Sequence, residues 1–273
     1  NSKYAKGGLL KTLDRVQKEI QDGESMMKTM DQFHLVRQIL CRYQKYFVDY
    51  LPEVGKYRGK KHDITKWLKP GAKPIRQKPY KIADKVMEKF MDKLNKMEAE
   101  GLIYKMKEEE CSNWASPGFP VWDKGKQEPR VVVGYQRVNE LCRVMAKIVS
   151  MAEQTIMRIM QSKCVILSDA KSGCNQMGVT QLTKLILAFC VWYATFLCDG
   201  MPFGYINAAQ VFCEAMEDFC DPLRDVVPHV DDMFVLGFDS FERGIVNFVK
   251  FCERLEEKNL YMSAKSCRSF HAC

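Results

Sequence analysis

Two adjacent aspartates, Asp231 and Asp232, interrupt an apolar run that extends from Val226 to Leu236. A run of that kind reads as a strand with a buried face. Side by side in such a strand, two like charges are costly to desolvate unless a positive charge stands between them. A third acid, Asp169, ends another apolar run, Cys164-Val165-Ile166-Leu167-Ser168. Carboxylates delivered by strand ends are the hard oxygen donors that hold paired divalent cations in phosphoryl and nucleotidyl transfer. Asp169, Asp231 and Asp232 are therefore the candidate catalytic and metal-binding residues.

The remaining composition is compatible with that chemistry. The chain has 273 residues, of which 47% are apolar and 28% charged, as expected of a soluble globular protein. Its net charge of +8 favours a polyanionic partner. The twelve cysteines form no Cys-x-x-Cys pair, and several (Cys164, Cys190, Cys198, Cys213, Cys252) lie in apolar runs, which reads as reduced thiols. The longest apolar stretch, Leu185 to Cys198, is too short to span a bilayer. An intracellular protein is expected, cytoplasmic (in a virus-like particle) or nuclear, with no membrane partner.

Periodicity supplies the elements. Leu9, Leu13, Val16 and Ile20 recur at helical spacing, as do Phe33, Val36, Leu40 and Tyr43, predicting a helical hairpin over residues 1–50. From 53 to 81, ten lysines and arginines alternate with Pro70, Pro74 and Pro79 and the aromatics Tyr57, Trp67 and Tyr80. That density of proline forbids a helix. The segment reads either as a solvated linker or as a basic extended stretch touching a nucleic-acid backbone. A helix is predicted from about Ala83 to Glu100, with Val86, Phe90, Leu94 and Met97 buried and Gly101 as its cap. A hairpin follows, with arms 119–122 and 130–133. The 185–198 run is strand-like, 208–219 helical, and 241–258 a final helix. Interleaved strands and helices, with acids at strand ends, suggest an α+β fold on an antiparallel sheet.

Several ordered segments together resemble the reverse transcriptase of gypsy-type long-terminal-repeat retrotransposons, and more distantly that of retroviruses. They are Ala72-Lys73-Pro74-Ile75-Arg76-Gln77-Lys78-Pro79-Tyr80, Ala99-Glu100-Gly101-Leu102-Ile103, Ser112-Asn113-Trp114-Ala115-Ser116-Pro117 and Arg130 through Leu141. Next come Leu167-Ser168-Asp169-Ala170-Lys171-Ser172-Gly173, Met201-Pro202-Phe203-Gly204 with Asn207-Ala208, His229-Val230-Asp231-Asp232, and Lys265-Ser266-Cys267. The resemblance covers about residues 35–273.

It implies the fingers and palm of a right-hand polymerase, without a thumb. A helical N-terminal segment and basic linker would occupy 1–62, fingers 63–143 and 177–207, and palm 144–176 and 208–273. Two Mg²⁺ ions (Mn²⁺ is the alternative) would sit on Asp169 and Asp231, with Asp232 as a weaker third carboxylate. Arg130, Lys124 or Lys126, Ala170, Cys174, Phe203, Gly204 and Lys265 would meet a deoxynucleoside triphosphate. Lys73, Arg76, Lys78 and Trp114 would meet an RNA or DNA template with its primer. The other implied partners are the thumb and ribonuclease H portions of a parent polyprotein.

The chain departs from the family's pattern at four places. His229 replaces a tyrosine, read as a packed aromatic substitute or a stray metal ligand. Cys174 stands where an aromatic gate against ribonucleotides is expected, and Gly134 and Gln136 replace an aspartate and an arginine. These departures leave open a second expectation, a catalytically weakened nucleic-acid-binding or structural subunit.

Overall fold

The computed structural model describes residues 30–125, 127–146 and 152–271. The predicted helix over Leu9–Ile20, and Lys126, lie outside them. Along the chain run α1 (Met30–Arg42), β1 (Phe47–Val48), α2 (Asp84–Ala99), β2 (Tyr104–Lys105), β3 (Ser116–Val121), β4 (Arg130–Val133) and α3 (Gln136–Glu140). Then come α4 (Ala152–Met160), β5 (Cys164–Asp169), α5 (Gly173–Gln176), α6 (Gln181–Ile186), β6 (Phe189–Val191) and β7 (Ala194–Leu197). The last are α7 (Ala208–Cys220), β8 (Val226–His229), β9 (Asp232–Gly237), α8 (Phe241–Lys258), β10 (Met262–Ser263) and β11 (Arg268–His271). The fold is mixed α+β. It divides into unit 1 (1–52, 147–173, 213–273) and unit 2 (53–146, 174–212).

Unit 1 is built on a four-stranded sheet in the order β11-β5-β9-β8, antiparallel throughout. Strands β5 and β9 alternate only toward the acids, at 167–169 and 232–235, and are buried on both faces at 164–166 and 235–237. Val165, Val227 and Leu236 form one buried cluster, with Ile159 and Phe234 against it. Helix α8 has the predicted bounds, because Ser240 caps its first turn through a bond from Arg243 N and Asn259 closes it at φ +53°. Its buried stripe includes the expected Ile245, Phe248, Cys252 and Leu255 and also Phe251, whereas Val249, expected in the stripe by its spacing, is only half-buried. One anchor has no sequence signature: Asp225 accepts from Asn247 Nδ2 at 2.9 Å while its carbonyl accepts from Leu236 N at 2.8 Å. Val36 and Leu40 are buried in α1, as is Tyr43 just past its end.

Unit 2 carries a five-stranded sheet in the order β2-β7-β6-β3-β4. Helix α2 covers it with Phe90 and Leu94, both fully buried and together worth roughly 3–6 kcal/mol of transfer free energy. Their cluster includes Ile103, Phe189, Val191 and Phe196. Gly101 takes φ +69° just past the helix, and Leu102 N reaches back to Met97 O at 2.9 Å. The β3–β4 hairpin forms with Val121 opposite Arg130. The 185–198 run is not one strand: α6 ends inside it, and Val191 and Ala194 close a tight hairpin around Trp192-Tyr193. Uniform hydrophobicity hid that turn, because both arms are buried and leave no alternation to read. Residues 53–81 form no α-helix; they hold one 3₁₀ turn, Ile64–Trp67, capped by the Asp63 side chain, and a second turn closed by Ala72 N to Lys69 O at 3.0 Å.

Three main-chain segments of unit 2 cross where Gly55, Gly178 and Gly200 meet. Gly55 N donates to Asn175 O at 2.8 Å, and Gly178 pairs with Gly200. A Cβ on Gly178 would lie 2.7 Å from Gly55 O, and one on Gly200 would overlap Asn175 O.

Candidate active site

The register of unit 1 brings the acids together at one end of its sheet. Asp169 on β5 lies opposite Asp232 on β9, and Asp232 lies opposite His229 on β8. Directly opposed residues project to the same face with Cβ atoms roughly 4.5–5.5 Å apart. His229, Asp232 and Asp169 therefore form one row across three strands. Asp231 stands in the two-residue turn beside that row, and its carbonyl accepts from Ala170 N at 2.8 Å. The other turn residue, Val230, has φ +55°. A positive φ is routine for glycine, whereas a β-branched side chain there stores roughly 1–3 kcal/mol of strain.

The electrostatics follow from this crowding. Burial, then the charges of Asp232 and Asp231, push the Asp169 carboxyl above its ordinary pKa; Lys171 and a hydrogen bond from Ser266 offset part of the rise. Asp231 is raised by the protein packed around it and then by Asp232, although its side chain sits on the exposed side of the turn. Three carboxylates that feel one another in this way suit a hard divalent cation such as Mg²⁺ or Mn²⁺. Their side chains are not drawn into a ligating cluster, however. Among the described residues no three His, Cys, Asp or Glu side chains stand close enough to hold one ion. The register thus pairs Asp169 with Asp232, and Asp169 feels the charges of both Asp232 and Asp231.

Other predicted residues of unit 1 fall as follows. Ala170 is buried and bridges Met262. Lys265 is exposed in the turn after β10. His229 is half-buried, and its Nδ1 is enclosed with no hydrogen-bond partner. Ser266, whose hydroxyl helps to lower the Asp169 carboxyl, has no role in the sequence reading although the Lys265-Ser266-Cys267 segment contains it.

In unit 2, Arg130 is exposed at the start of β4 and pairs with Asp123 at 3.5 Å across the hairpin tip, where Lys124 is exposed. Cys174 is buried, its Sγ 3.7 Å from Ala208 O. Phe203 is 62% exposed, and Gly204 follows at φ +91° over the buried ring of Tyr135. Lys73, Arg76 and Lys78 are exposed; Arg76 also donates to Ser112 O at 2.9 Å. Trp114 requires a correction. It is only 8% exposed, so its ring is packing material and offers no face for a base to stack on. Two asparagines inside quoted segments had been given no role: Asn139 and Asn207 pin the 203–207 turn through both ends of their side-chain amides.

No protein-family profile matches the sequence. Over 202 residues the chain is 24% identical to an enzymatic polyprotein of Cassava vein mosaic virus, a match covering 72% of this chain and 31% of the polyprotein. A second, from Cestrum yellow leaf curling virus, is 24% identical over 198 residues, covering 68% and 29%. Among solved structures, the protease–reverse transcriptase of prototype foamy virus superposes with a TM-score of 0.77 at 19% identity, covering 96% of this chain and 33% of that one. The foamy viral enzyme in complex with double-stranded DNA gives 0.74 at 17% identity, covering 95% and 45%. The fold is that of a reverse transcriptase polymerase domain. This polymerase-like chain spans about a third of the curated relatives it matches. Among its described residues no helix is long and apolar enough to cross a membrane.

Proposed function

We propose that the chain is the polymerase portion of an RNA-directed DNA polymerase from a gypsy-type retrotransposon polyprotein, transferring nucleotides to a primer 3′-hydroxyl. The observation that carries this reading is the Asp169–Asp232 cross-strand pair with Asp231 in the adjoining turn, where burial first and the neighbouring carboxylates second raise two of the three carboxyls. Asp169 and Asp231 would hold two Mg²⁺ or Mn²⁺ ions, with Asp232 as the third carboxylate. Such ions, when bound, activate the primer hydroxyl and neutralise the leaving pyrophosphate.

The chain's own groups divide the remaining work. The sheet register orients Asp169, and Ala170 N fixes the turn that carries Asp231. In unit 2, Phe203 and Gly204 offer a surface for the incoming deoxynucleotide, and Arg130 and Lys124 offer charge to its triphosphate. Lys265 offers a further charge from unit 1. Lys73, Arg76 and Lys78 would contact template and primer phosphates, which makes binding weaken as salt rises. Cys174 is too small to exclude a 2′-hydroxyl by clash, so sugar discrimination is expected to be weak.

The second reading, a catalytically weakened subunit that binds nucleic acid or serves as scaffold, is favoured by one observation: Arg130 is already neutralised by Asp123. Primer extension on an RNA template, with Asp231→Asn as control, separates the two. Extension that needs a divalent cation and disappears in the variant supports the polymerase; primer–template binding without extension supports the scaffold.

A further inference from the structure

The geometry points to Asn139 as a positioning residue for nucleotide binding, an inference that rests on the polymerase reading and deepens it. Asn139 is the fourth residue of α3, and its amide engages the 203–207 turn at two points. Nδ2 donates to Gly204 O at 3.0 Å, and Oδ1 accepts from Ile206 N at 3.0 Å. One planar side chain thus satisfies main-chain groups on both sides of Tyr205. Asn207 closes the far end of the turn: its Oδ1 accepts from Met145 N at 3.0 Å, and its Nδ2 donates to Arg143 O at 3.0 Å. That amide also donates to the Tyr205 hydroxyl at 3.2 Å.

What this double clasp holds in place is an exposed apolar ledge. Phe203 is 62% and Ile206 41% exposed, the first immediately before the Gly204 carbonyl and the second carrying the N–H that Asn139 holds. A free turn would lose backbone entropy when a ligand settled on it, whereas this one has lost it during folding. A flat ring is the ligand such a small ledge suits, and in the polymerase reading that ring belongs to the incoming nucleotide. Only an amide can serve both bonds from this position. Aspartate would turn an acceptor toward Gly204 O, and alanine would leave both main-chain groups without a protein partner.

The test uses the full chain loaded with a primer–template whose primer ends in a dideoxynucleotide, titrated with the next deoxynucleotide and Mg²⁺. Wild type is compared with Asn139→Ala, Phe203→Ala and the double variant, with thermal melting and primer–template affinity measured in parallel. Asn139→Ala is expected to weaken nucleotide binding about tenfold while melting and primer–template affinity hold. The double variant should be no weaker than Phe203→Ala alone, since Asn139 acts through the turn. Unchanged nucleotide affinity, fully additive losses, or a matching fall in melting temperature would overturn the assignment. If wild type holds primer–template but takes up no nucleotide, the inference about Asn139 fails while nucleic-acid binding stands. If it holds neither, the polymerase reading itself fails and takes the inference with it.

Discussion

In unit 1 the acids ride on paired strands, and the main-chain ladder sets the spacing of Asp169, Asp232 and His229. In unit 2 the exposed groups sit on turns and a hairpin tip, and side-chain amides set the shape of the 203–207 turn. The first arrangement spends regular secondary structure on precision, so a single side chain removed from its surroundings should leave the ladder intact. The second spends individual hydrogen bonds, so its precision should be lost one residue at a time. Positions that must hold like charges together against repulsion have the ladder; positions that present a neutral surface have the clasp.

The largest effect should come from the ladder's cargo. Asp169→Asn or Asp231→Asn is expected to lower single-nucleotide incorporation by about a thousandfold, measured by rapid quench, with the fold unchanged by circular dichroism. Retention of most activity in either variant would mean that the row in unit 1 is not the chemical centre. Next in size is a contrast within unit 2. Trp114→Ala should cost roughly 3 kcal/mol in urea unfolding because it empties a buried site, while Phe203→Ala should stay within about 0.5 kcal/mol. Equal costs would erase the distinction drawn here between a packed and a presented aromatic.

A smaller effect concerns the charge held on the ladder. The Asp169 carboxyl has a folded-state pKa above its unfolded value, so its ionised form costs stability. That cost is fully present above the folded pKa and fades as pH falls below the ordinary carboxyl range. In chelated buffer at neutral pH, Asp169→Asn should therefore melt about 2–4 °C higher than wild type, and the gap should close on acidification. A lower melting point for the variant at neutral pH would show that the carboxylate is compensated by Lys171 and Ser266 after all. The smallest effect is at the exposed cations of unit 2: Lys78→Ala should reduce the slope of log affinity against log salt by about one for a primer–template duplex. An unchanged slope would remove Lys78 from the phosphate contacts.

The difference between the two regions also governs what could be read from the sequence. The aspartates were visible because each breaks an apolar strand, and α2, α7 and α8 were visible because their stripes repeat at helical spacing. The amphipathic bounds of α8 were reinforced by Ser240 and Asn259, residues with known capping chemistry. The turn at Trp192-Tyr193 was invisible, since both flanking strands are buried and the turn lacks glycine or proline. Trp114 was misjudged because an aromatic between small and polar residues looks the same whether it is packed or presented; only tertiary burial separates the two. Asn139 and Asn207 were missed because a polar residue that bonds to main chain far along the sequence leaves no local pattern. His229 remains the instructive case: its place in the row was predictable from the hairpin, its enclosed Nδ1 was not.

The glycine crossing of unit 2 matters to anyone who wants to take this chain apart and rebuild it. Residues 53–57, 174–179 and 199–200 behave as one joint with no clearance for a methyl group. Split-protein halves, circular permutants and epitope insertions placed in any of these stretches would have to push apart two other strands of chain to fit. The exposed tip between β3 and β4, near Lys124 and Gly125, is the gentler place to insert a tag, at the price of disturbing the Arg130–Asp123 pair.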